Sequence, residues 1–389
     1  MKAIVNGKII LPDRIVTSKA LLFDEQIIGL ADAGDIGEAA VTDASGMYVA
    51  PGLIDMHCHG YLGMDTCDGS PESIVVMAEG LIKNGVTGWL PTTMTLPLDY
   101  LRTILSMMRS LRAQSRDRAL WRGTQILGVN FECVFLNPAR KGAHQEELIR
   151  PLSADFVKEH ADIIKVFTVA PEMPGNLAAI EEIARETDVL VSIGHSDATY
   201  EQALEAISKG VRHATHLFNA MSPLNHRNPG VVGAMLTSPD VSVELIADTF
   251  HIHPGLFPVI AKLKGRKLAL VTDSMNAAGL ADGEYDLGGQ TVSVRGIQCR
   301  LADGTIAGSV LTLNQAVRNM MKHTDEPVNE IVNMASLNPA TSLGVQGAKG
   351  SLEAGKDADI IIADDQFAVE KTFIKGELLY TKPANKESS

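Results

Sequence analysis

Eight short apolar runs alternate with amphipathic helical segments through the middle of the chain, and this alternation limits the fold more than any other feature. The runs lie in GLIDMHCH, VTGWLPTT, TQILGVNFE, DIIKVFTVAPE, DVLVSIGH, HATHLFN, VSVELIADTFH and KLALVTD. Helical spacing of apolar residues is found in PESIVVMAEGLIKNG, LPLDYLRTILSMMRSLRAQ, NLAAIEEIARET and ATYEQALEAISKG. Strand and helix alternating over about 250 residues is typical of a (β/α)8 barrel. A doubly wound open sheet is the alternative, but no Gly-rich phosphate-binding fingerprint follows the first strand.

Both ends of the chain have the pattern of short strands separated by turns. These segments are AIVNGKII, KALLFDEQIIGL and MYVAPG at the start, and GSLEAGKDADIIIADDQFAVEKTFIKGELLY at the close. Neither end alone has enough strands for a stable sheet, so we expect the two to pair. The prediction is an α/β fold in which a split β domain, residues 1–50 and 345–389, flanks a barrel of residues 51–344.

Six residues able to bind a metal ion come at or just after the ends of these apolar runs. They are His57 and His59 on the first run, Glu132 on the third, His195 on the fifth, His216 on the sixth and Asp273 on the eighth. Because the carboxyl ends of barrel strands converge on one face, we expect all six to meet at one point. Residues two apart on a strand point to the same side, which aligns the two imidazoles of the first run. Four imidazoles and two carboxylates suit Zn²⁺ or a related divalent ion.

Composition argues against several classes of partner. The 389 residues include 34 Lys and Arg against 47 Asp and Glu, a formal net charge of −13. This excess of acid argues against binding to nucleic acid or to an anionic membrane, and no apolar run is long enough for a transmembrane span. The N-terminus lacks a signal-peptide pattern, and the four cysteines form no CxxC pair, so we expect a reducing, cytoplasmic setting.

Motifs spread over nearly the whole chain carry a resemblance to a known family. They are PGLIDMHCHG, FLNPARKGAH, IGHSDATY, HLFNAMSPLNHRNPG, VTDSMNAAGLADGEYDLGG, GTIAGS, NPATSLGV and KGSLEAGKDADIII. Together they resemble the N-acetylglucosamine-6-phosphate deacetylase family of the amidohydrolase superfamily. The resemblance implies a metal-dependent (β/α)8 TIM barrel with a small β-sandwich built from both chain ends, and a homodimer.

The resemblance also implies roles for individual residues. Glu132, His195 and His216 match the main metal ligands of the family. His57 and His59 match a strand-one pair that supports a second metal in the members that possess it, and Asp273 matches the catalytic base and acid. The matching substrate-binding positions are Ala143, His144, Asn219, Ala220, Arg227, Asp248, Thr249, Phe250, His251, Ile306, Ala307 and Gly308. The cofactor is expected to be a divalent metal, one or two per chain, with Zn²⁺ as the default and Fe²⁺ or another ion as the alternative.

These residue types suit the hydrolysis of a linear amide. An amide is a poor electrophile, and metal-bound water, its pKa lowered from about 16 toward about 7, is a strong nucleophile. Asp273 would take a proton from that water and later give one to the departing sugar amine. The forked guanidinium of Arg227 suits a phosphate dianion. We therefore expect deacetylation of N-acetyl-D-glucosamine 6-phosphate to D-glucosamine 6-phosphate and acetate.

Two departures from the family pattern leave the exact substrate open. The family usually has HxEGPF around its glutamate, whereas this chain has NFECVF, with Asn130, Cys133 and Val134 at the changed positions. In the seventh apolar run, Thr249 and Phe250 replace a glycine and a smaller apolar residue. N-acetylgalactosamine 6-phosphate or another N-acyl amine is therefore an alternative substrate, and the role of Cys133 is left open.

Two further functions are alternatives. A cyclic amidase of the superfamily commonly uses a carboxylated lysine, which Lys165 in DIIKVFTV would provide, but Lys165 lies in mid-run and Glu132 already offers a carboxylate. A non-catalytic scaffold that binds sugar phosphates is expected to have lost Asp273 or a metal ligand, and all of these residues are present.

Overall fold

The computed structural model describes residues 1–32, 34–132 and 134–383. Seven strands come before the barrel: β1 (Lys2–Val5), β2 (Lys8–Ile10), β3 (Ile15–Val16), β4 (Ala20–Phe23), β5 (Ile27–Ala31), β6 (Ala40–Asp43) and β7 (Tyr48–Pro51). The next eleven are β8 (Leu53–Cys58), β9 (Gly60–Tyr61), β10 (Met64–Asp65), β11 (Val86–Pro91), β12 (Gln125–Ile126), β13 (Val129–Phe131), β14 (Ile164–Val169), β15 (Leu190–Ile193), β16 (His213–Ala214), β17 (Ser242–Ile246) and β18 (Leu268–Val271). The last six are β19 (Gly283–Leu287), β20 (Gln290–Arg295), β21 (Gln298–Arg300), β22 (Ile360–Ala363), β23 (Val369–Ile374) and β24 (Glu377–Thr381).

The α-helices all lie between β10 and β22 within the described residues. They are α1 (Pro71–Leu81), α2 (Leu98–Gln114), α3 (Ala154–Glu159), α4 (Asn176–Glu186), α5 (Tyr200–Lys209), α6 (Gly230–Thr237), α7 (Phe257–Lys264), α8 (Leu313–His323), α9 (Val328–Met334) and α10 (Leu337–Ser342). Single 3₁₀ turns occur at Thr66–Asp68, Ile82–Asn84, Pro138–Arg140, Glu146–Leu148, Pro254–Leu256 and Gly265–Lys267. Over the part of the chain described, none of these helices has both the length and the apolar character needed to cross a bilayer.

The predicted barrel is confirmed. Its parallel strands form two sheets, in the orders β12-β11-β8 and β13-β14-β15-β16-β17-β18, so that β12 and β13 are two parts of the third barrel strand. Parallel bridges between Thr92 and Asn130 and between Cys58 and Ser274 join the sheets at both edges. The eight runs predicted from the sequence therefore close on themselves, and the strand ends meet at one rim.

Local sequence signals explain where the predicted helices begin. The Ser70 hydroxyl accepts a hydrogen bond from the backbone of Ser73, and Pro71 occupies the first turn of α1. A capping box of Thr199 and Gln202 starts α5. The helices α2 and α4 also form where apolar spacing predicted them. These helices cover the outside of the barrel. The connecting loops surround the rim formed by the carboxyl ends of the strands, which is called the carboxyl rim below.

Both chain ends build two sheets that share an apolar core. One sheet has the order β5-β4-β1-β6, and the other, β24-β23-β22-β7-β2-β3, mixes strands from both ends of the chain. Buried side chains between them include Ile4, Ile9, Leu21, Phe23, Val49, Ile360, Ile362 and Phe373. The predicted β-sandwich is thus confirmed. Its division from the barrel at residues 50 and 345 stays a prediction, and residues 384–389 lie outside the described residues.

A three-stranded antiparallel sheet, β19-β20-β21, follows the last barrel strand. Its apolar side packs against Met94 and Met275. The Gln145 amide donates to the Gly288 carbonyl at 2.6 Å, and Gln290 donates to the Ala143 carbonyl. This sheet is therefore fastened to the loop after β13 and forms one wall above the rim.

Candidate active site and metal centre

The strand-end histidines approach each other in two pairs at the carboxyl rim. His57 and His59, the first pair, have their Nε2 atoms 3.2 Å apart. His195 and His216, the second pair, have Nε2 atoms 3.1 Å apart. All four residues are buried, with exposed fractions of 5% or less. The structure thus brings together the predicted imidazole ligands from three different regions of the barrel.

The Glu132 carboxylate lies between the two pairs and turns one oxygen to each. Its Oε2 is 3.0 Å from both Nε2 atoms of the first pair. Its Oε1 is 2.8 Å and 3.2 Å from the Nε2 atoms of His216 and His195. Asp273 completes the first group, with Oδ1 3.2–3.3 Å from the Nε2 atoms of the first pair. Two groups of ligand atoms therefore share one carboxylate.

Left-handed backbone turns aim three of these side chains toward the barrel axis. The φ angles are +47° at His195, +31° at His216 and +48° at Asp273. Such angles cost a non-glycine residue about 1–3 kcal/mol and concentrate at functional sites. Gly194 precedes the first of these turns, and a Cβ atom there would lie 2.7 Å from the Thr168 side chain. The glycine of the IGH sequence at the end of β15 is therefore required by packing, and the histidine by chemistry.

The cluster favours positive charge at its centre. Burial alone would lower the pKa of His59, but hydrogen bonds to Asp273 and Glu132 outweigh it and raise the pKa to about 9. Burial is likewise outweighed by the nearby carboxylates at His57 and His216, where the pKa is also raised. The imidazoles in turn lower the pKa of both carboxylates, against the effect of burial. Buried imidazole nitrogens and carboxylate oxygens are ligands of zinc and related ions, so this donor set fits a divalent cation.

A cavity of about 410 Å³ opens onto the cluster, a size typical of small-molecule sites. The predicted residues in its wall are His59, Glu132, Ala143, His144, His195, His216, Asn219, Ala220, His251, Asp273, Ile306, Ala307 and Gly308. Residues in the wall that the sequence analysis did not single out are Met94, Ala139, Arg140, Gly142, Phe218, Leu287 and Thr305. Arg140 could have been identified from the sequence, because it lies within the FLNPARKGAH motif. The cavity joins the metal cluster to most of the predicted substrate positions.

Two further histidines in the wall are held by hydrogen bonds. The Nδ1 atom of His144 is 2.8 Å from the Thr95 hydroxyl, and burial together with the neighbouring His195 lowers the pKa of His144 well below its usual value. The Nδ1 atom of His251 is 2.6 Å from Oδ2 of Asp248. Asp248 thereby fixes the His251 ring and leaves Nε2 as the nitrogen available to a ligand.

Arg227 lies away from this cavity wall. Its exposed side chain lines a neighbouring surface cavity together with Asp197. Asp197 is also the ion-pair partner of Arg140, at 2.7 Å, and Arg140 lines the main cavity. Arg140 is therefore a second cation that could meet an anionic group, and the assignment of Arg227 stays a prediction.

The predicted substrate-binding positions that follow β17, the seventh barrel strand, also lie in different cavities. Asp248 and Thr249 line a different, smaller cavity. The ring of Phe250 packs beneath the Arg300 guanidinium, with 5.0 Å between ring centroid and guanidinium carbon. Of this segment, His251 alone is among the residues of the main wall. Cys133, the other departure from the family pattern, lies outside the described residues.

A buried carboxylate that contacts a ligand side chain was not among the predicted site residues. Glu244 on β17 has no exposed surface and hydrogen-bonds to His57. Its signal was a single charge inside the apolar run VSVELIA. By contrast, Lys165 covers Gly128 and faces the helix layer, where burial and Arg112 of α2 lower its pKa. Lys165 is therefore not placed to serve as a metal ligand of the cyclic amidase type.

Similarity to known proteins agrees with this geometry. The profile of the amidohydrolase family matches residues 48–379. The chain is 39% identical over 341 residues to the N-acetylglucosamine-6-phosphate deacetylase of Lysinibacillus sphaericus, covering 86% of each chain. It is 36% identical over 372 residues to the N-acetylgalactosamine-6-phosphate deacetylase of Escherichia coli O157:H7, covering 94% of this chain and 97% of that one. The crystal structure of the N-acetylglucosamine-6-phosphate deacetylase from Pasteurella multocida matches with a TM-score of 0.92 at 33% identity, covering 98% of this chain and 100% of that one. The chain therefore belongs to the amidohydrolase family and, within it, to the N-acetylglucosamine-6-phosphate deacetylase family that its motifs resemble.

Proposed function

We propose that this protein is a metal-dependent hydrolase that converts N-acetyl-D-glucosamine 6-phosphate to D-glucosamine 6-phosphate and acetate. The observation that carries the proposal is the position of Asp273. Its carboxylate lies at the floor of the cavity, 8% exposed, and its Oδ1 is 3.2–3.3 Å from the Nε2 atoms of the first histidine pair. A base in contact with a cation site and open to a substrate cavity is the arrangement that amide hydrolysis needs.

Glu132, Asp273 and the two histidine pairs would hold the divalent metal, one or two ions per chain. Support comes from the carboxylate, which turns one oxygen to each histidine pair. A divalent cation bound there supplies Lewis acidity, which polarises the amide carbonyl and lowers the pKa of water. Zn²⁺ is the default ion for these ligands, and Fe²⁺ is the alternative.

Asp273 is proposed to move the proton. Its neighbouring histidines lower its pKa against the effect of burial, so the carboxylate is ionised and able to accept a proton from water. Addition of the water oxygen to the acetyl carbon opens the carbonyl double bond and leaves negative charge on its oxygen. Asp273 then gives the proton to the amide nitrogen, the carbonyl re-forms and the carbon–nitrogen bond breaks. The second proton of the water passes to the amine, and acetate and the amino sugar leave.

The remaining wall residues are proposed to hold the sugar. His251 presents Nε2, because Asp248 engages Nδ1, and this nitrogen is suited to the acetyl carbonyl or a sugar hydroxyl. The Asn219 amide donates a hydrogen bond to the His216 carbonyl, and Ala220 and Ile306 to Gly308 line the same cavity. Arg227 is proposed to bind the phosphate, since a guanidinium fork matches the geometry of a phosphate dianion.

N-acetylgalactosamine 6-phosphate is the second candidate substrate. The relative from Escherichia coli O157:H7 matches nearly the full length of both chains, and this chain departs from the family pattern at NFECVF and Thr249-Phe250. The cytoplasmic setting and the homodimer stay predictions from the sequence.

Acetate release tests the proposal directly. Metal-loaded wild type, chelator-treated wild type and Asp273→Asn are assayed on both N-acetylated sugar 6-phosphates, and thermal unfolding verifies that the variant is folded. We expect acetate only from metal-loaded wild type, with a higher kcat/KM on the glucosamine derivative. Acetate release that survives in folded Asp273→Asn would contradict the mechanism. Metal-loaded wild type that releases no acetate from either sugar would contradict the function.

A further inference from the structure

Glu244 joins the two halves of the ligand cluster from inside the barrel. Its Oε2 is 2.9 Å from Nδ1 of His57 and accepts the backbone N–H of His216 at 3.0 Å. Its Oε1 is 3.1 Å from Nε2 of His213, whose Nδ1 lies 2.7 Å from the Ser242 hydroxyl. Both carboxylate oxygens are thus engaged, one of them by residues from both histidine pairs.

A carboxylate in this position carries a cost that its hydrogen bonds must offset. Burying a carboxylate without partners is unfavourable, and Glu244 has no exposed surface and is not among the residues of the cavity wall. The contacts with His57, His213 and the His216 backbone supply those partners. Glu244 is therefore not placed to meet a substrate. Its contacts indicate a role that acts through the histidines.

The contact with Glu244 determines which nitrogen of His57 carries the proton. Oε2 of Glu244 accepts the backbone N–H of His216 and lies 2.9 Å from Nδ1 of His57, so Nδ1 is a second donor to the same oxygen. In the neutral ring the other nitrogen, Nε2, then holds the lone pair, and Nε2 is the atom that faces Glu132 at 3.0 Å. The same carboxylate anchors the backbone of His216, whose left-handed φ of +31° needs support from its surroundings.

We propose that Glu244 is a positioning residue of the metal centre, which fixes His57 as an Nε2 ligand and holds His216 in register with it. This inference rests on the proposed metal-dependent function. Carboxylates behind ligand histidines set the tautomer and raise ligand basicity, and their loss typically weakens metal binding about 10- to 100-fold. His213 supports the carboxylate from the opposite side, and its link to Ser242 extends the chain of hydrogen bonds to β17.

The test is a Co²⁺ titration of metal-stripped protein, followed by visible absorption and by competition with a chromogenic chelator. Glu244→Gln keeps the size of the side chain and removes its charge. Asp359→Asn is the matched control, because Asp359 is also a buried carboxylate, paired with Lys349 at 2.7 Å, but belongs to the β-sandwich segment. Circular dichroism of each metal-free protein verifies folding before the titration.

We expect Glu244→Gln to bind Co²⁺ about 10- to 100-fold more weakly than wild type and to change the absorption spectrum, while Asp359→Asn keeps wild-type affinity. A folded Glu244→Gln protein with wild-type affinity and spectrum would overturn the inference. Failure of wild type itself to bind Co²⁺ would instead overturn the proposed metal centre.

A measurement on wild type does not depend on the variant folding. In ¹⁵N-histidine-labelled, ¹¹³Cd-loaded protein, the His57 signals are assigned by comparison with His57→Asn. Cadmium coupling at Nε2 together with a proton on Nδ1 supports the inference. Coupling at Nδ1 would overturn it, because Glu244 then could not accept a hydrogen bond from that nitrogen.

Discussion

The metal centre and the phosphate end of the cavity differ in how the chain fixes them. Each proposed ligand lies on a barrel strand or within two residues of its end, and barrel closure alone brings such ends together. Arg227 instead lies in an exposed loop and lines a separate cavity, while Arg140 lines the main one. The difference shows that strand-end residues are positioned by the barrel itself, whereas loop residues depend on contacts between distant segments.

Removing the shared carboxylate should have the largest effect, because both groups of ligand atoms depend on it. Glu132→Gln replaces one carboxylate oxygen by an amide nitrogen that cannot coordinate as the oxygen does. We expect metal content to fall by at least one equivalent and kcat/KM by about 10³-fold or more, the loss of several kcal/mol of transition-state stabilisation. Elemental analysis and acetate release measure the two effects. A variant with full metal content and near-wild-type activity would show that Glu132 is not the shared ligand.

Asp273→Asn should remove proton transfer and leave most of the centre in place. General acid–base groups typically contribute about 10²–10⁴-fold to the rate, and we expect kcat to fall by that factor. The four histidines and Glu132 remain, so metal content should stay within one equivalent of wild type. A fall in kcat that merely parallels loss of metal would show that Asp273 acts as a ligand and not as a base.

Substitutions of Arg227 and Arg140 test which of these two loop residues binds the phosphate. Arg227→Ala should raise KM for the sugar phosphate about 10- to 100-fold, since a hydrogen bond to a charged group contributes about 1.5–3 kcal/mol. kcat should stay within about twofold of wild type. Arg140→Ala is the matched variant, and the sugar without phosphate is the matched substrate. If Arg140→Ala shows the larger KM effect, the phosphate lies in the main cavity and the assignment to Arg227 is wrong.

The smallest effect is expected at Thr249, where a β-branched residue has a φ of +72°. Such strain costs about 1–3 kcal/mol, and glycine removes it while adding about 0.4–1 kcal/mol of unfolded-state entropy. Thr249→Gly should therefore stabilise the protein by about 1 kcal/mol in urea unfolding. Thr42→Gly on β6 is the control and should destabilise it. Loss of stability in Thr249→Gly would show that contacts of the threonine outweigh its strain.

Much of the fold and the centre could be predicted because the signals are local. Apolar runs and helical spacing located the barrel strands and four helices, and the position of His195 or Asp273 after a run indicated the rim. Glu244 could not be predicted, because its partners depend on the register between β16, β17 and β8. The orientation of Arg140 toward the cavity likewise depends on its ion pair with Asp197, which the sequence spacing does not show.

Anomalous diffraction from crystals of the metal-loaded wild-type protein tests the central claim, that the barrel strands build one centre around a shared carboxylate. We expect two peaks, one among Glu132, Asp273 and the first histidine pair and the other among Glu132 and the second pair. Each peak should lie about 2.0–2.2 Å from a Glu132 oxygen. Data without a peak at that distance from Glu132, in protein that releases acetate, would contradict it.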